Sequence, residues 1–121
     1  MSYSVHVTSQ ADHIRADISG VVSAESLSVD NWGPLIELCQ ERGVFRILMD
    51  VRELDVAIDT VRLYETGADL RRLRDAGIRV AFLTTPEKIS PDRFYETVAR
   101  NRGVSARTFT DEESATIWLF K

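Results

Sequence analysis

Phe45-Arg46-Ile47-Leu48-Met49-Asp50-Val51 is a nearly unbroken apolar run, and Arg79-Val80-Ala81-Phe82-Leu83-Thr84 repeats it after a helix-length interval. Continuous apolar segments of this length belong to strands covered on both faces, the situation of central strands in a parallel sheet. Outward from them the pattern changes. Tyr3-Ser4-Val5-His6-Val7-Thr8 alternates apolar and polar residues at period two, as does the segment carrying Ile14, Ala16 and Ile18. Each reads as a strand with one wet face. The short polar link Ser9-Gln10-Ala11-Asp12 joins them as an antiparallel hairpin, because a parallel pair needs a much longer crossover, and Gly20 is expected to break the second strand. Ala106-Arg107-Thr108-Phe109-Thr110 is shorter and more polar, which suits an edge.

Helices fill the intervals. Pro34 and Gly43 bracket a helix over residues 34–42, with Leu35, Leu38 and Cys39 on one side. Residues 23–29 read as a separate helical turn, since Pro34 would interrupt a continuous helix. Asp59 is placed to cap a long helix over 59–77 with Leu63, Gly67 and Leu70 on a common face. Ser90-Pro91 opens a helix over 90–102 as cap and first helical residue, with Phe94, Val98 and Ala99 inward and Gly103 closing it. Thr110-x-x-Glu113 has the spacing of a capping box for a last helix carrying Ala115, Trp118 and Leu119. The order β-β-α-β-α-β-α-β-α predicts an α/β fold: a mostly parallel central sheet with an antiparallel N-terminal strand and helices packed around it.

At 121 residues the chain is expected to form one domain over 1–121, since two cores would each be too small. Its 15 basic and 19 acidic residues give a net charge of −4, which supplies no electrostatic reason to bind nucleic acid. No apolar run approaches the roughly 20 residues of a membrane span, and Met1-Ser2-Tyr3-Ser4 lacks the regions of a signal peptide. The single cysteine, Cys39, rules out an internal disulfide and fits a reducing compartment, so a cytoplasmic location is expected.

Reactive constellations are scarce. His6 and His13 lie on one hairpin without a carboxylate or thiol at ligand spacing, so solvated or hydrogen-bonded histidines are the simpler reading and no metal is expected. Cys39 takes a core-facing helix position, where a free cysteine behaves as a small hydrophobe. The scattered glycines form no phosphate loop. Asp50, Glu53 and Asp55 cluster after the third strand, where open α/β sheets place their crevices; capping and solvation account for them without a general acid or base. Glu96 and Arg100 read as an i,i+4 pair on a wet face. Arg71, Arg72 and Arg74 complement the negative end of the 59–77 helix, diluted as a docking patch by Asp69 and Asp75. Val56, Ala57 and Ile58 form an apolar stretch among acids, and Val61, Tyr64 and Ala68 widen the apolar circumference of the following helix. Broad packing explains this, and so does a lid over a nonpolar pocket or a partner-facing surface.

The block Ile47-Leu48-Met49-Asp50-Val51-Arg52-Glu53-Leu54 and the C-terminal half resemble the SpoIIAA-like family, a branch of the STAS (anti-sigma-factor antagonist) superfamily. Its most specific stretches are Arg79 to Pro86, Asp92-Arg93-Phe94-Tyr95-Glu96-Thr97-Val98-Ala99-Arg100-Asn101-Arg102-Gly103, and Arg107 to Leu119. The resemblance covers nearly the whole chain. It implies a superhelically wound α/β domain with no cofactor and no catalytic centre, working as an interaction module. The absence of a convergent catalytic set in a complete α/β fold points the same way, to a protein partner or self-association as a homodimer. In the sigma-regulator branch, a serine following an aspartate at the start of the helix after strand three is phosphorylated to break a complex. The corresponding place here is Asp59-Thr60, a departure from the Asp-Ser-Ser-Gly pattern that makes Thr60 the candidate phosphosite. A further likeness, to the lipid-binding CRAL-TRIO domains, implies the alternative of a carrier for a nonpolar small molecule with peripheral membrane association. Val56, Ile58, Val61, Tyr64, Ala68, Phe94, Tyr95 and Val98 are the candidate surface for that ligand or for a partner.

Overall fold

The computed structural model of the chain describes residues 3–22, 32–56 and 71–121. In chain order it contains β1 (Tyr3–Ser9), β2 (Ile14–Val22), α1 (Gly33–Arg42), β3 (Arg46–Val56), α2 (Arg71–Ala76), β4 (Arg79–Leu83), a 3-10 turn (Pro86–Lys88), α3 (Ile89–Asn101), β5 (Ser105–Phe109) and α4 (Glu112–Leu119). The five strands form one sheet in the order β1-β2-β3-β4-β5. β1 pairs antiparallel with β2 and the remaining pairs are parallel, as the alternation of strands and helices predicts.

A sheet whose strands follow chain order steps in one direction at every crossover, and right-handed crossovers then place their helices on one face. The packing agrees. Leu35, Ile36 and Cys39 of α1, Leu73 of α2 and Ala99 of α3 share a core with Ile14, Ala16, Ile47, Met49, Val51, Val80, Phe82 and Ala106 from the sheet. The alternate residues Leu48, Ala81 and Leu83 point the other way and, among the described helices, meet α4, through Ala115 and Leu119. Val98, on α3, is 1% exposed.

Four local expectations are corrected. β2 runs through Gly20 to Val22, because Gly20 adopts φ 105°, a region open to glycine that keeps the strand paired with Tyr3 of β1 and Leu54 of β3. β3 does not end at Val51 but continues to Val56, so Glu53 and Asp55 are strand residues and Asp50 lies inside the strand. The helix expected to open at Ser90 begins at Ile89, directly after the 3-10 turn that Pro86 initiates. Pro91 then falls in the first helical turn, where its missing N–H is one of the groups without an intrahelical partner. The last helix is capped by Asp111, not Thr110: the Asp111 carboxylate accepts from the Ser114 N–H at 2.8 Å. Of the helix expected over 59–77, residues 59–70 lie outside the described residues, as does the helical turn at 23–29.

Candidate functional site

The sheet is uneven at its carboxyl end. β4 stops at Leu83, opposite Asp50, whereas β2 and β3 continue as a ribbon, flanked by β1 as far as Gly20 and two-stranded from there to the Val22–Val56 pair. The ribbon begins at an irregularity. Asp17 pairs with Asp50 and Ser19 with Glu53, so β3 carries one extra residue there, the arrangement of a β-bulge.

Asp50 holds that bulge. Its Oδ1 accepts from the backbone N–H of Arg52 at 3.1 Å and from Arg52 Nε at 3.0 Å, and its Oδ2 accepts from Arg52 Nη2 at 2.7 Å. The same Oδ2 accepts from Arg15 Nη2 at 2.8 Å. Arg15 also donates through Nε to Asp17 at 3.0 Å and through Nη1 to Glu112 of α4 at 2.9 Å. Period-two geometry explains the assembly: Arg15 and Asp17 share one face of β2, Asp50 answers them from β3, and Glu112 closes the row from the first turn of α4. Burial, the largest influence on the Asp50 carboxyl, pushes its pKa up. The hydrogen bonds and charge of Arg52, with the charge of Arg15, outweigh burial and leave it below the ordinary carboxylate value.

Where β4 ends, a lysine replaces it. Lys88 Nζ donates to the Arg52 carbonyl at 2.7 Å and to the Leu54 carbonyl at 2.9 Å, and lies 3.6 Å from Asp55. Thus the edge of β3 left bare by β4 finds donors in one side chain from the 3-10 turn. Glu53 and Asp55 remain exposed.

The other sequence candidates are dispersed. His6 is exposed on β1, while His13 pairs with Asp12 at 2.8 Å and packs edge-on to Phe120. Among the described residues no group of three or more His, Cys, Asp or Glu side chains could hold a metal ion. Cys39 is fully buried, and burial pushes its thiol up to about 11. Arg74 pairs with its neighbour Asp75 at 2.9 Å. Glu96 does face Arg100, at 3.8 Å, but is not on a wet face: its side chain is 15% exposed and accepts the Thr108 N–H of β5. Ile58, Thr60, Val61, Tyr64 and Ala68 lie outside the described residues. Val56 is described only as the strand partner of Val22, and Phe94 and Tyr95 only as residues of α3, their side chains lying outside the description. Val98 is in the core.

Arg15, Asp17, Arg52, Lys88 and Glu112 are the residues that sequence reasoning missed. One signal was available: Arg15/Asp17 and Asp50/Arg52 each carry opposite charges two residues apart, a spacing that shares a face only if both segments are strands.

No family model matches the sequence, and no curated protein matches it. Solved structures do. The chain is similar to an uncharacterised protein from Shewanella loihica PV-4, of the DUF3478 family with a SpoIIAA-like fold, at 17% identity and TM-score 0.59, covering 97% of this chain and 93% of that one. It is also similar to an anti-sigma factor antagonist from Mycobacterium paratuberculosis, at 11% identity and TM-score 0.62, covering 99% of this chain and 96% of that one. The fold is therefore SpoIIAA-like, as the resemblance implied. Among the described residues, no helix is long and apolar enough to cross a membrane.

Proposed function

We propose that the protein is a non-catalytic interaction module that docks a protein partner at the carboxyl end of its sheet. The observation that carries this reading is the condition of Asp50. Of the three candidate acids on β3 it is the buried one, and its oxygens are occupied by two guanidinium groups and a backbone N–H. A general acid or base needs a pKa near the working pH and a free lone pair or proton, and a carboxylate held below its ordinary range offers neither. Cys39, buried and made more basic, is no better a nucleophile. What the ribbon offers outward is exposed charge at Arg52, Glu53 and Asp55, in the place where open α/β sheets bind their ligands.

The likeness to an anti-sigma factor antagonist supports a protein partner, and the cytoplasm is the compartment proposed for such a module. The alternative of a nonpolar carrier rests mostly on residues outside the described part of the chain, and no observation among the described ones selects it. Affinity capture from the source lysate with wild type and a Glu53→Lys/Asp55→Lys variant tests the docking reading. Wild type should retain a stoichiometric partner that the folded variant loses. A partner held equally by both would move the docking surface elsewhere. Turnover in a substrate screen, abolished by Asp50→Asn, would overturn the non-catalytic reading.

A further inference from the structure

The two edges of the sheet are finished differently. On β5 the outward Thr108 N–H is taken by the Glu96 carboxylate, and Arg107 stands exposed on the strand. A covered N–H and a charged side chain are devices that stop an edge from recruiting another strand. β1, at the opposite edge, shows neither among the described residues. Its seven residues, Tyr-Ser-Val-His-Val-Thr-Ser, contain no Lys, Arg, Asp, Glu, Pro or Gly, and they pair with β2 without interruption from Tyr3–Gly20 to Ser9–Ile14. Among the described residues no strand lies beyond it. Val5 and Val7, opposite Ile18 and Ala16 and so on the core side of the sheet, are 44% and 38% exposed.

We infer that β1 is a self-pairing edge, and that two copies of this chain join antiparallel through it about a two-fold axis at His6, making one continuous sheet. The choice of a second copy over a foreign strand rests on the sequence of β1, which is nearly palindromic about His6. In that register Val5 of one copy stands opposite Val7 of the other, Ser4 opposite Thr8, and Tyr3 opposite Ser9. A two-fold interface requires such self-complementarity, and Ser4–Thr8 is a favourable hydrogen-bonding cross-strand pair. The Val5–Val7 pairs carry the apolar face across the axis and cover the two large side chains that the single chain leaves exposed. One strand pair is small beside the interfaces of permanent dimers, so the assembly depends on concentration. The inference goes beyond partner docking and does not depend on it; reversing the charges at Glu53 and Asp55 leaves β1 untouched.

The test uses the whole chain. Sedimentation equilibrium should show the average mass rising toward twice the chain mass with concentration. Val5→Lys/Val7→Lys places lysines opposite one another across the axis and should abolish the rise, with an unchanged circular dichroism spectrum. A His6→Cys variant should oxidise to a covalent dimer, Cys39 being buried, whereas Ser4→Cys, whose counterpart is Thr8, should stay uncrosslinked. A monomer at the highest soluble concentration would overturn the inference. So would a dimer that survives the double lysine substitution, or one that crosslinks at position 4 and not at position 6.

Discussion

On the Asp50 carboxyl two opposed effects meet. Burial disfavours its charged form, and the hydrogen bonds and charges of Arg52 and Arg15 favour it by more, so the group ionises below its ordinary value. The consequence for stability has a definite sign. Below about pH 3.9, the usual aspartate value, the unfolded chain binds more protons at this group than the folded one, so stability rises with pH. The contribution is complete above the ordinary value and is lost as pH falls through the folded one. Asp50→Asn should cost about 2 kcal/mol at neutral pH and flatten the acid limb of a urea-midpoint-against-pH curve. Asp50→Ala, which also orphans the Arg52 N–H of the bulge, should cost about 3 kcal/mol. An acid limb unchanged in Asp50→Asn would show that other carboxylates set it. Cys39 is the contrasting case, a group governed by burial alone and pushed up to about 11. A thiol reagent should leave it unlabelled in native, mildly alkaline buffer and label it fully in denaturant. Its inwardness was legible from helix spacing. The role of Asp50 was not, because a carboxylate after an apolar run looks the same in a capping loop as in a strand until its partners are placed.

At the scale of elements, the reading failed where charge interrupted hydrophobicity. β3 seemed to finish at Val51 because Arg52-Glu53-Leu54-Asp55 lacks the apolar run of a doubly covered strand. It continues because β2 still pairs with it after β4 has ended, and Arg52, Glu53 and Asp55 are exposed there, so polar side chains are tolerated. The β2–β3 ribbon has one edge left bare by β4, and Lys88 serves it through the carbonyls of Arg52 and Leu54. Lys88→Met keeps the length of the side chain and removes the donors. It should cost about 1–2 kcal/mol and speed amide exchange along residues 51–55 relative to 46–50, since the ribbon would open without the rest of the sheet. Uniform exchange along β3 in that variant would mean that pairing with β2 alone holds the ribbon. The helix starts were misplaced, by two residues at α3, whose cap is Lys88 and not Ser90, and by one at α4. Adjacent residues, Thr110 and Asp111, could each serve as cap, and the sequence does not say which backbone the fold selects.

For the whole molecule the hydrophobic periods were sufficient for the class: two continuous runs, two alternating ones, a short polar strand and the helices between them predict the mixed sheet with helices packed around it. The chain-order sheet, with its described crossover helices on one face, became visible only in the structure. Among the described residues, α4 is the helix that covers the second face. Eight residues are too few for a helix to persist in water by itself, so α4 must be held by what it touches. Leu119 and Ala115 are fully buried against Leu48, Ala81 and Leu83. At its carboxyl end, Arg46 donates to the Leu119 carbonyl at 3.0 Å and Arg79 to the Trp118 carbonyl at 2.9 Å, while each guanidinium lies over an aromatic ring of the same segment. Cations at that end also oppose the helix dipole. If docking is the origin of the helix, the cost of truncating its side chains should follow the side they face. Leu119→Ala should cost about 3 kcal/mol, lowering Tm by on the order of 10 °C, with loss of helical signal as α4 detaches. Ile117→Ala, on the same helix but 57% exposed, should change stability by no more than about 0.5 kcal/mol. Equal losses in the two variants would mean that intrinsic helix stability, not docking on the sheet, keeps α4 folded, and that the second face does not depend on it.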